Sequence, residues 1–496
     1  MFRADADSDI GTGHLMRCLA VAQTWIDLGG TAILATKPGS FQIENRYHAE
    51  NICVEHILSI PGSIEDANEI IKLSEKNSSK WVIIDGYHFH VKFFKSLKNA
   101  GLKTIFIDDF GQITTDCIDI IVNPNIYAKS LFSKNHMNNS ALLLGPEYYP
   151  IRREFFRARN FSRDFSIRTI HILITMGGAD PKNITWQIIK ALDCCDLSDI
   201  EIIVLVGPQN KHYEKLKDDI KKINSSIRLI QNPRDIPELM IWADIGISSA
   251  GTTTYELAFM RLPSFIIKIA ENQLFNINTY SKLGVFEIIN NSDLADPSIL
   301  CRKIQQWIEN PGFREQTSSK LSDIIDGYGS ERIFANIEDS VVLRPVHKDD
   351  CYRIWQWAND PDVRASSFNS LPISLEDHKK WFFEKIGDKN CLFFIVTLHT
   401  IPIAQLRFDL EGHSAKISFM IDKDFRGKGY GEQIIRLACR YLFRKFNIEC
   451  IHAYVLQSNS ISIKTFTKSG FHFLATERIH NHKAIHFVLE KDDYYV

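Results

Sequence analysis

The sequence predicts an α/β protein with two tandem Rossmann-like lobes followed by a separate α+β unit. Three observations predict it. Over the first two thirds of the 496 residues, short β-branched apolar runs alternate with helical patterns, and the rhythm restarts once. After residue 341 it gives way to apolar strands joined by very short connections. The length alone, at roughly 150 residues per domain, predicts about three domains.

The elements follow in order. WVIIDG (81–86), KTIFIDD (103–109) and IDIIVN (118–123) read as buried parallel strands ending in Gly, Asp or Asn. VKFFKSLKNAG (91–101) between them reads as a helix closed by Gly101. RTIHILITMGGADPKN (168–183) opens the second series as a strand, a Gly-Gly turn and a helix start. Asp180 is placed to cap that helix and Pro181 to occupy its first position. EIIVLVG (201–207), IRLIQN (227–232) and ADIGISSAG (243–251) are the next strands. The polar segment 152–166 separates the series, which sets the lobes at 1–155 and 156–335, with 326–340 closing the second lobe and linking onward. In the unit 341–496, a strand, Arg-Pro and a helix precede CLFFIVTL (391–398), IPIAQLRFDL (401–410) and AKISFMID (415–422). Their short connections predict antiparallel pairing.

Composition narrows the function. Apolar residues make up 45% and charged residues 24%, which excludes disorder, collagen and coiled coil as overall descriptions. With 58 Lys and Arg against 60 Asp and Glu, the net charge of −2 argues against a nucleic-acid partner. The balance is uneven. Residues 341–496 carry 22 basic and 18 acidic side chains, and residues 1–340 carry 36 and 42, so the last unit suits an anionic ligand better. No apolar run reaches 18 residues, and the N-terminus lacks a basic region followed by an apolar stretch, so neither a membrane partner nor a secretory signal is expected. The ten cysteines are scattered without C-x-x-C or zinc-finger spacing, which predicts free thiols, no metal and a cytoplasmic location.

Five segments could carry chemistry. Gly11-Thr12-Gly13-His14 opens the helical pattern HLMRCLAVAQTWIDLG, where a glycine turn admits a ligand and the helix N-terminus keeps an imidazole neutral. His14 there is either a general base or a simple cap, and Arg17 lies one turn on, on the same face. Ser248-Ser249-Ala250-Gly251-Thr252 joins a strand to a helix, a junction suited to a diphosphate or to a plain capped turn. Glu256, about a turn further in, could accept ribose hydroxyls. Met176-Gly177-Gly178-Ala179-Asp180 could bring amides to the same ligand or be a structural turn. Asp85-Gly86-Tyr87-His88 and Asp108-Asp109 end strands, where ligand groups or solvated carboxylates both occur, and His88 and His90 lack a third metal ligand nearby. Arg426-Gly427-Lys428-Gly429-Tyr430-Gly431 lies between a strand and a helix. It forms an R-x-x-G-x-G pyrophosphate cradle, followed by Asn459-x-x-Ser462 and Gly470-Phe471.

Residues 425–431 and 459–471 resemble the GNAT (GCN5-related) N-acetyltransferases over 341–496. The resemblance implies acetyl-CoA as co-substrate, held by Arg426, Gly427, Lys428, Gly429 and Gly431, with Asn459 and Ser462 toward the pantetheine arm. It implies an oxyanion-binding amide near Phe419–Ile421. Many members have a thiolate-protonating Tyr seven residues after the Asn; here Phe466 stands there, leaving Tyr454 or water as the acid.

Residues 1–335 resemble the UDP-2,4-diacetamido-2,4,6-trideoxy-β-L-altropyranose hydrolases of pseudaminic acid biosynthesis, which have the two-lobed GT-B fold. The features are RADAD, GTGHLMRCLAVA (11–22), IDGY (84–87), IDD (107–109), MGGADPKN (176–183), ISSAGTTTYEL (247–257) and ENQ (271–273). The resemblance implies His14 as the base activating water, with Tyr87 and Asn272 lining the sugar site and Asp9 and Arg17 meeting substrate. It implies Gly13, Gly177, Ser249, Gly251, Thr252 and Glu256 as the UDP site, and no metal. The family's first strand is longer than Met1–Asp5, so the resemblance implies residues upstream. A fusion of an amino-sugar acetyltransferase with the hydrolase that uses its product accounts for both motif sets. A UDP-sugar glycosyltransferase, or the same enzyme pair for another amino-sugar, is the alternative.

Overall fold

The computed structural model describes all residues except 7–10, 40, 112, 114, 115, 133–139, 160, 167–169, 179, 194–199, 208, 209, 224–226, 232, 234, 338–340, 399, 400, 495 and 496, and the side chains of 272 and 291. The described chain divides into two compact units, Met1–Gln23 with Thr31–Ser330, and Thr24–Gly30 with Glu331–Val496.

The first unit holds two parallel sheets. Among the described residues the first sheet comprises β1 (Phe2–Ala4), β2 (Ile33–Thr36), β3 (Cys53–His56), β4 (Trp81–Asp85), β5 (Lys103–Ile107), β6 (Ile120–Asn123) and β7 (Ala141–Leu144), in the order 3-2-1-4-5-6-7. The second comprises β8 (Ile170–Thr175), β9 (Ile200–Val206), β10 (Ile227–Gln231), β11 (Ile245–Ser249), β12 (Ser264–Ile267) and β13 (Glu287–Ile289), in the order 10-9-8-11-12-13. These strands are apolar on both faces because helices cover both sides, and Val82, Ile84, Ile172, Ile174, Ile245 and Ile247 are fully buried. Strand order reverses between β1 and β4 and again between β8 and β11, creating a crevice at the carboxyl edge of each sheet.

The described residues of the polar boundary segment 152–166 are packed in place. Phe155 and Phe156 are buried, and the Arg163 guanidinium donates to the carbonyls of Met240, Ala243 and Arg261 at 2.7, 2.5 and 2.9 Å. Asp180 does cap the next helix, accepting from Ile184 and Thr185 N–H at 2.9 Å. That helix starts at Ile184 rather than Pro181, because Asp180 and Asn183 take left-handed φ of 42° and 52° and insert a turn.

The second unit is a mixed sheet of β14 (Val341–Pro345), β15 (Cys391–Leu398), β16 (Ile401–Glu411), β17 (Ser414–Ile421), β18 (Cys450–Leu456), β19 (His472–Ile479) and β20 (His482–Glu490), in the order 14-15-16-17-18-20-19. All neighbours run antiparallel except β17 and β18. Glu331 groups with this unit, where the sequence placed it at the close of the second lobe. Its carboxylate is fully buried, accepts the Tyr441 hydroxyl at 2.5 Å and pairs with buried Lys445.

No helix among the described residues is long and apolar enough to cross a membrane. Among the described residues, seven cysteines are free, but Cys301 is disulfide-bonded. That departs from the all-thiol expectation, since sequence spacing does not show which cysteines the fold brings together.

Candidate functional site

One cleft of about 360 Å³ in the first unit gathers both reversal points. The Gly13–Asp27 helix begins beside β1 and β4, and its first turn aims His14 and Arg17 at the end of β4. His14 Nδ1 lies 2.6 Å from Asp85 Oδ1. Arg17 forks between two carboxylates, reaching Asp85 at 2.7 and 2.8 Å and Asp109 at 2.9 and 3.0 Å. All four side chains are at least nine-tenths buried. The sequence left Asp85 and Asp109 open to a solvated reading; the fold buries and pairs both.

Burial opposes ionisation of Asp85, yet Arg17 and His14 hold its carboxyl down at about 2. An ionised carboxylate only accepts, so His14 Nδ1 carries a proton toward Asp85 and Nε2 is the ring nitrogen not engaged with it. The Tyr87 ring meets His14 edge-on at 4.6 Å, and its hydroxyl donates to Asp109 Oδ2 at 3.4 Å. Burial and the neighbouring Asp109 charge push the Tyr87 phenol well up, so it serves as a donor. His88 turns away from the cleft, its Nε2 lying 3.1 Å from Asp5.

The opposite wall comes from the second lobe. Gly177, Ser249, Gly251, Thr252 and Glu256 all line the cleft, as do Gly13, His14, Arg17 and Tyr87. The two walls come close: a Cβ on Gly13 would lie 3.4 Å from Thr252 Oγ1, and one on Gly178 would lie 3.0 Å from Thr12 Oγ1. A Cβ on Gly207 would sit 2.3 Å from the Gly178 carbonyl oxygen, so only glycine fits beneath the Gly177–Gly178 turn. Glu256 Oε1 is held by Arg152 at 2.8 and 2.9 Å, and Arg152 also binds Glu154 at 2.7 Å. Sequence reasoning treated Arg152 only as part of a boundary; its partner lies 104 residues away, so no local pattern points to it. Tyr255 was also missed. It stacks on Tyr149 at 4.0 Å, and its hydroxyl accepts from Ile126 N–H at 3.0 Å, tying the two lobes at the cleft floor. Asp9, Ala179 and the Asn272 side chain lie outside the described residues.

The second unit places the glycine-rich turn before the Tyr430–Lys445 helix. Gly427 and Gly429 take φ of 74° and 86°, nothing lies within 4 Å of a Cβ at either, and Gly429 caps the 16-residue helix without a side-chain bond. Its backbone N–H groups are thus presented without a competing cap. The Arg426 side chain is engaged elsewhere: it donates to Asp360 at 2.8 Å, Asp362 at 3.1 Å and the Ile421 carbonyl at 2.9 Å. Asn459 caps the Ser460–Lys468 helix, accepting from Ser462 N–H at 3.0 Å, which accounts for the N-x-x-S spacing. Phe466 is a core ring against Phe419, Phe471 and Phe487. Among the described residues, no group of three His, Cys, Asp or Glu could hold a metal ion.

Comparison with known proteins gives matches for both units. Residues 171–328 match the glycosyltransferase family 28 C-terminal domain, and residues 340–472 the acetyltransferase (GNAT) domain. An uncharacterized protein of Methanocaldococcus jannaschii is 24% identical over 94% of this chain and 95% of its own length. The UDP-2,4-diacetamido-2,4,6-trideoxy-beta-L-altropyranose hydrolase of Campylobacter jejuni is 27% identical over 57% of this chain and 96% of its own. Among solved structures, an aminoglycoside acetyltransferase in complex with coenzyme A is 18% identical over 32% of this chain and 98% of that one, at a TM-score of 0.29. The chain therefore joins an N-terminal part homologous to that hydrolase, including a glycosyltransferase family 28 C-terminal domain, to a C-terminal GNAT acetyltransferase domain.

Proposed function

We propose that the chain carries two consecutive activities. Residues 341–496 acetylate the 4-amino group of UDP-4-amino-4,6-dideoxy-N-acetyl-β-L-altrosamine, and the two lobes then hydrolyse the UDP-2,4-diacetamido-2,4,6-trideoxy-β-L-altropyranose formed. The observation that carries the hydrolytic reading is the buried His14–Asp85 pair, facing the Ser249–Thr252 turn across one cleft. The Campylobacter relative's name supplies the sugar.

In the cleft, His14 Nε2 takes a proton from water as the water oxygen bonds to the anomeric carbon and the bond to UDP breaks. Asp85 holds the ring's tautomer and offsets the charge it gains. Backbone N–H groups and hydroxyls of Ser249–Thr252 meet the leaving diphosphate, and Glu256, fixed by Arg152, meets the ribose. Asp9 and Asn272 complete the sugar side in this reading.

In the second unit, acetyl-CoA supplies the acyl group. The open turn at Gly427–Gly431 fits a pyrophosphate through its amides, with Lys428 adding charge. The Arg426 side chain braces the turn instead of gripping the ligand, and Asn459 and Ser462 stay toward the pantetheine side. The amine is positioned against the thioester beside Phe419–Ile421.

One incubation with acetyl-CoA and the UDP-4-amino sugar tests the whole reading. Mass spectrometry should show an acetylated UDP-sugar, then free UDP and a diacetamido hexose. A second reading, a UDP-sugar glycosyltransferase, is favoured by the family 28 domain match. It predicts little UDP release until an acceptor is added.

A further inference from the structure

A chain of titratable side chains lies where β17 and β18 diverge. The two strands pair only from Ser414 with Cys450 to Lys416 with His452. Beyond that, β17 stays with β16 as far as Ile421 and β18 stays with β20 as far as Leu456, so a gap opens between them. Side chains alternate across a sheet, so Cys450, His452 and Tyr454 share one face with Lys416 and Met420. Phe419 packs on Phe466 on the other face. Tyr454, the first residue of that shared face beyond the paired stretch, stacks at 4.3 Å on His486, its cross-strand partner. His486 Nε2 lies 2.9 Å from His452 Nδ1, and His486 Nδ1 lies 2.6 Å from Glu477 Oε1. His486 is buried, whereas the Glu477 side chain is 41% exposed, so the chain runs from the edge of the gap to solvent.

We infer that His452, His486 and Glu477 form the proton relay of the acetyl-transfer site, receiving the proton that the acceptor amine loses. This rests on the reading of the second unit as an N-acetyltransferase. The amine nitrogen bonds to the thioester carbonyl carbon, the carbon–sulfur bond breaks, and sulfur leaves as a thiolate. The nitrogen's proton enters at His452 Nε2, the ring nitrogen not engaged with His486. His452 Nδ1–H donates across the shared hydrogen bond to His486 Nε2, and His486 Nδ1–H faces the Glu477 carboxylate and, through it, water. The thiolate takes one proton from solvent, so none is gained or lost overall.

The groups facing the pair agree with this role. Burial and neighbouring His486 hold His452 below the usual imidazole range, opposed by Glu490, Glu411 and Glu477, which keeps a proton-accepting ring at neutral pH. Cys450 Sγ sits 3.4 Å from His452 Nε2, and burial raises its thiol, so it stays protonated beside the ring. Lys416 Nζ lies 4.8 Å from the Tyr454 ring centroid. His482, on the same face of β20 as His486, lines with His480, Asn369 and Phe368 a cavity of about 300 Å³.

The test follows thiol release by the full chain from acetyl-CoA, at about pH 5.5 to 9, with the UDP-4-amino sugar, the free amino sugar and a polyamine as acceptors. His486→Asn and His452→Asn should lower kcat by about 100-fold or more, with KM for acetyl-CoA changed less than about threefold. Glu477→Gln should shift the acid limb of kcat down by about one pH unit, because a lost carboxylate no longer favours the imidazolium. Thermal melts check that each variant folds. Variants keeping wild-type kcat and acid limb, with whichever amine the wild type acetylates, overturn the relay. A wild type that acetylates another amine but not the UDP-sugar overturns the sugar assignment alone, and one that acetylates none overturns both.

Discussion

Asp85 does three jobs with one carboxylate: it ends β4, neutralises Arg17 and fixes the tautomer of His14. Asp85→Asn keeps the shape but lets the amide donate to Nδ1, which moves the proton to Nε2 and removes the base. UDP release should fall about 10²–10⁴-fold in kcat, with thiol release from acetyl-CoA unchanged. The same carboxylate links folding to pH. Its folded value, about 2, lies below its unfolded one. Its stabilisation is therefore present above about pH 4, and on the order of 2 kcal/mol is lost as pH falls toward 2. Chemical denaturation at about pH 5 and pH 2.5 should show a smaller difference in Asp85→Asn than in wild type. The sequence marked His14 through its place after a glycine turn, and marked Asp85 as a strand end. It could not show that the two meet, because 71 residues separate them.

At the scale of elements, two turns decide ligand access. The Gly177–Gly178 turn rests on Gly207, where an added methyl meets backbone that cannot swing aside. Gly207→Ala should weaken UDP binding in titration calorimetry and lower the melting temperature, with about 1–3 kcal/mol lost to overpacking. Asn459 offers a sharper test. As a helix cap, Asn459→Ser should fold like wild type and Asn459→Ala should lose about 1 kcal/mol. If the side chain also meets the pantetheine arm, both substitutions should raise KM for acetyl-CoA. Cap spacing and ligand spacing are identical in the sequence, so only the coordinates reveal the cap. The strand ends at 85, 107 and 249 were legible to within two residues because apolar β-branched runs give way there to Gly, Asp or Ser. The Ile184 helix start was not, because it depends on two left-handed residues.

At the scale of the molecule, the two activities should separate. His14→Ala should abolish UDP release and spare acetylation. Gly429→Val should do the reverse, since a β-branched residue at φ 86° distorts the cradle at roughly 1–2 kcal/mol or more. Product analysis by mass spectrometry reads both at once, and loss of both activities in either variant would sink the idea of independent sites. By itself the sequence determined the succession of two parallel lobes and a third unit of largely antiparallel strands, because strand and helix periods are local properties of the chain. It also determined the glycine turns, because left-handed backbone favours glycine wherever it occurs. Tertiary structure alone decided which charges meet: Arg17 with Asp85 and Asp109, Arg152 with Glu256, His452 with His486 and Glu477. Such pairings join residues on different elements of the fold, and their strength comes from burial, which no local pattern records.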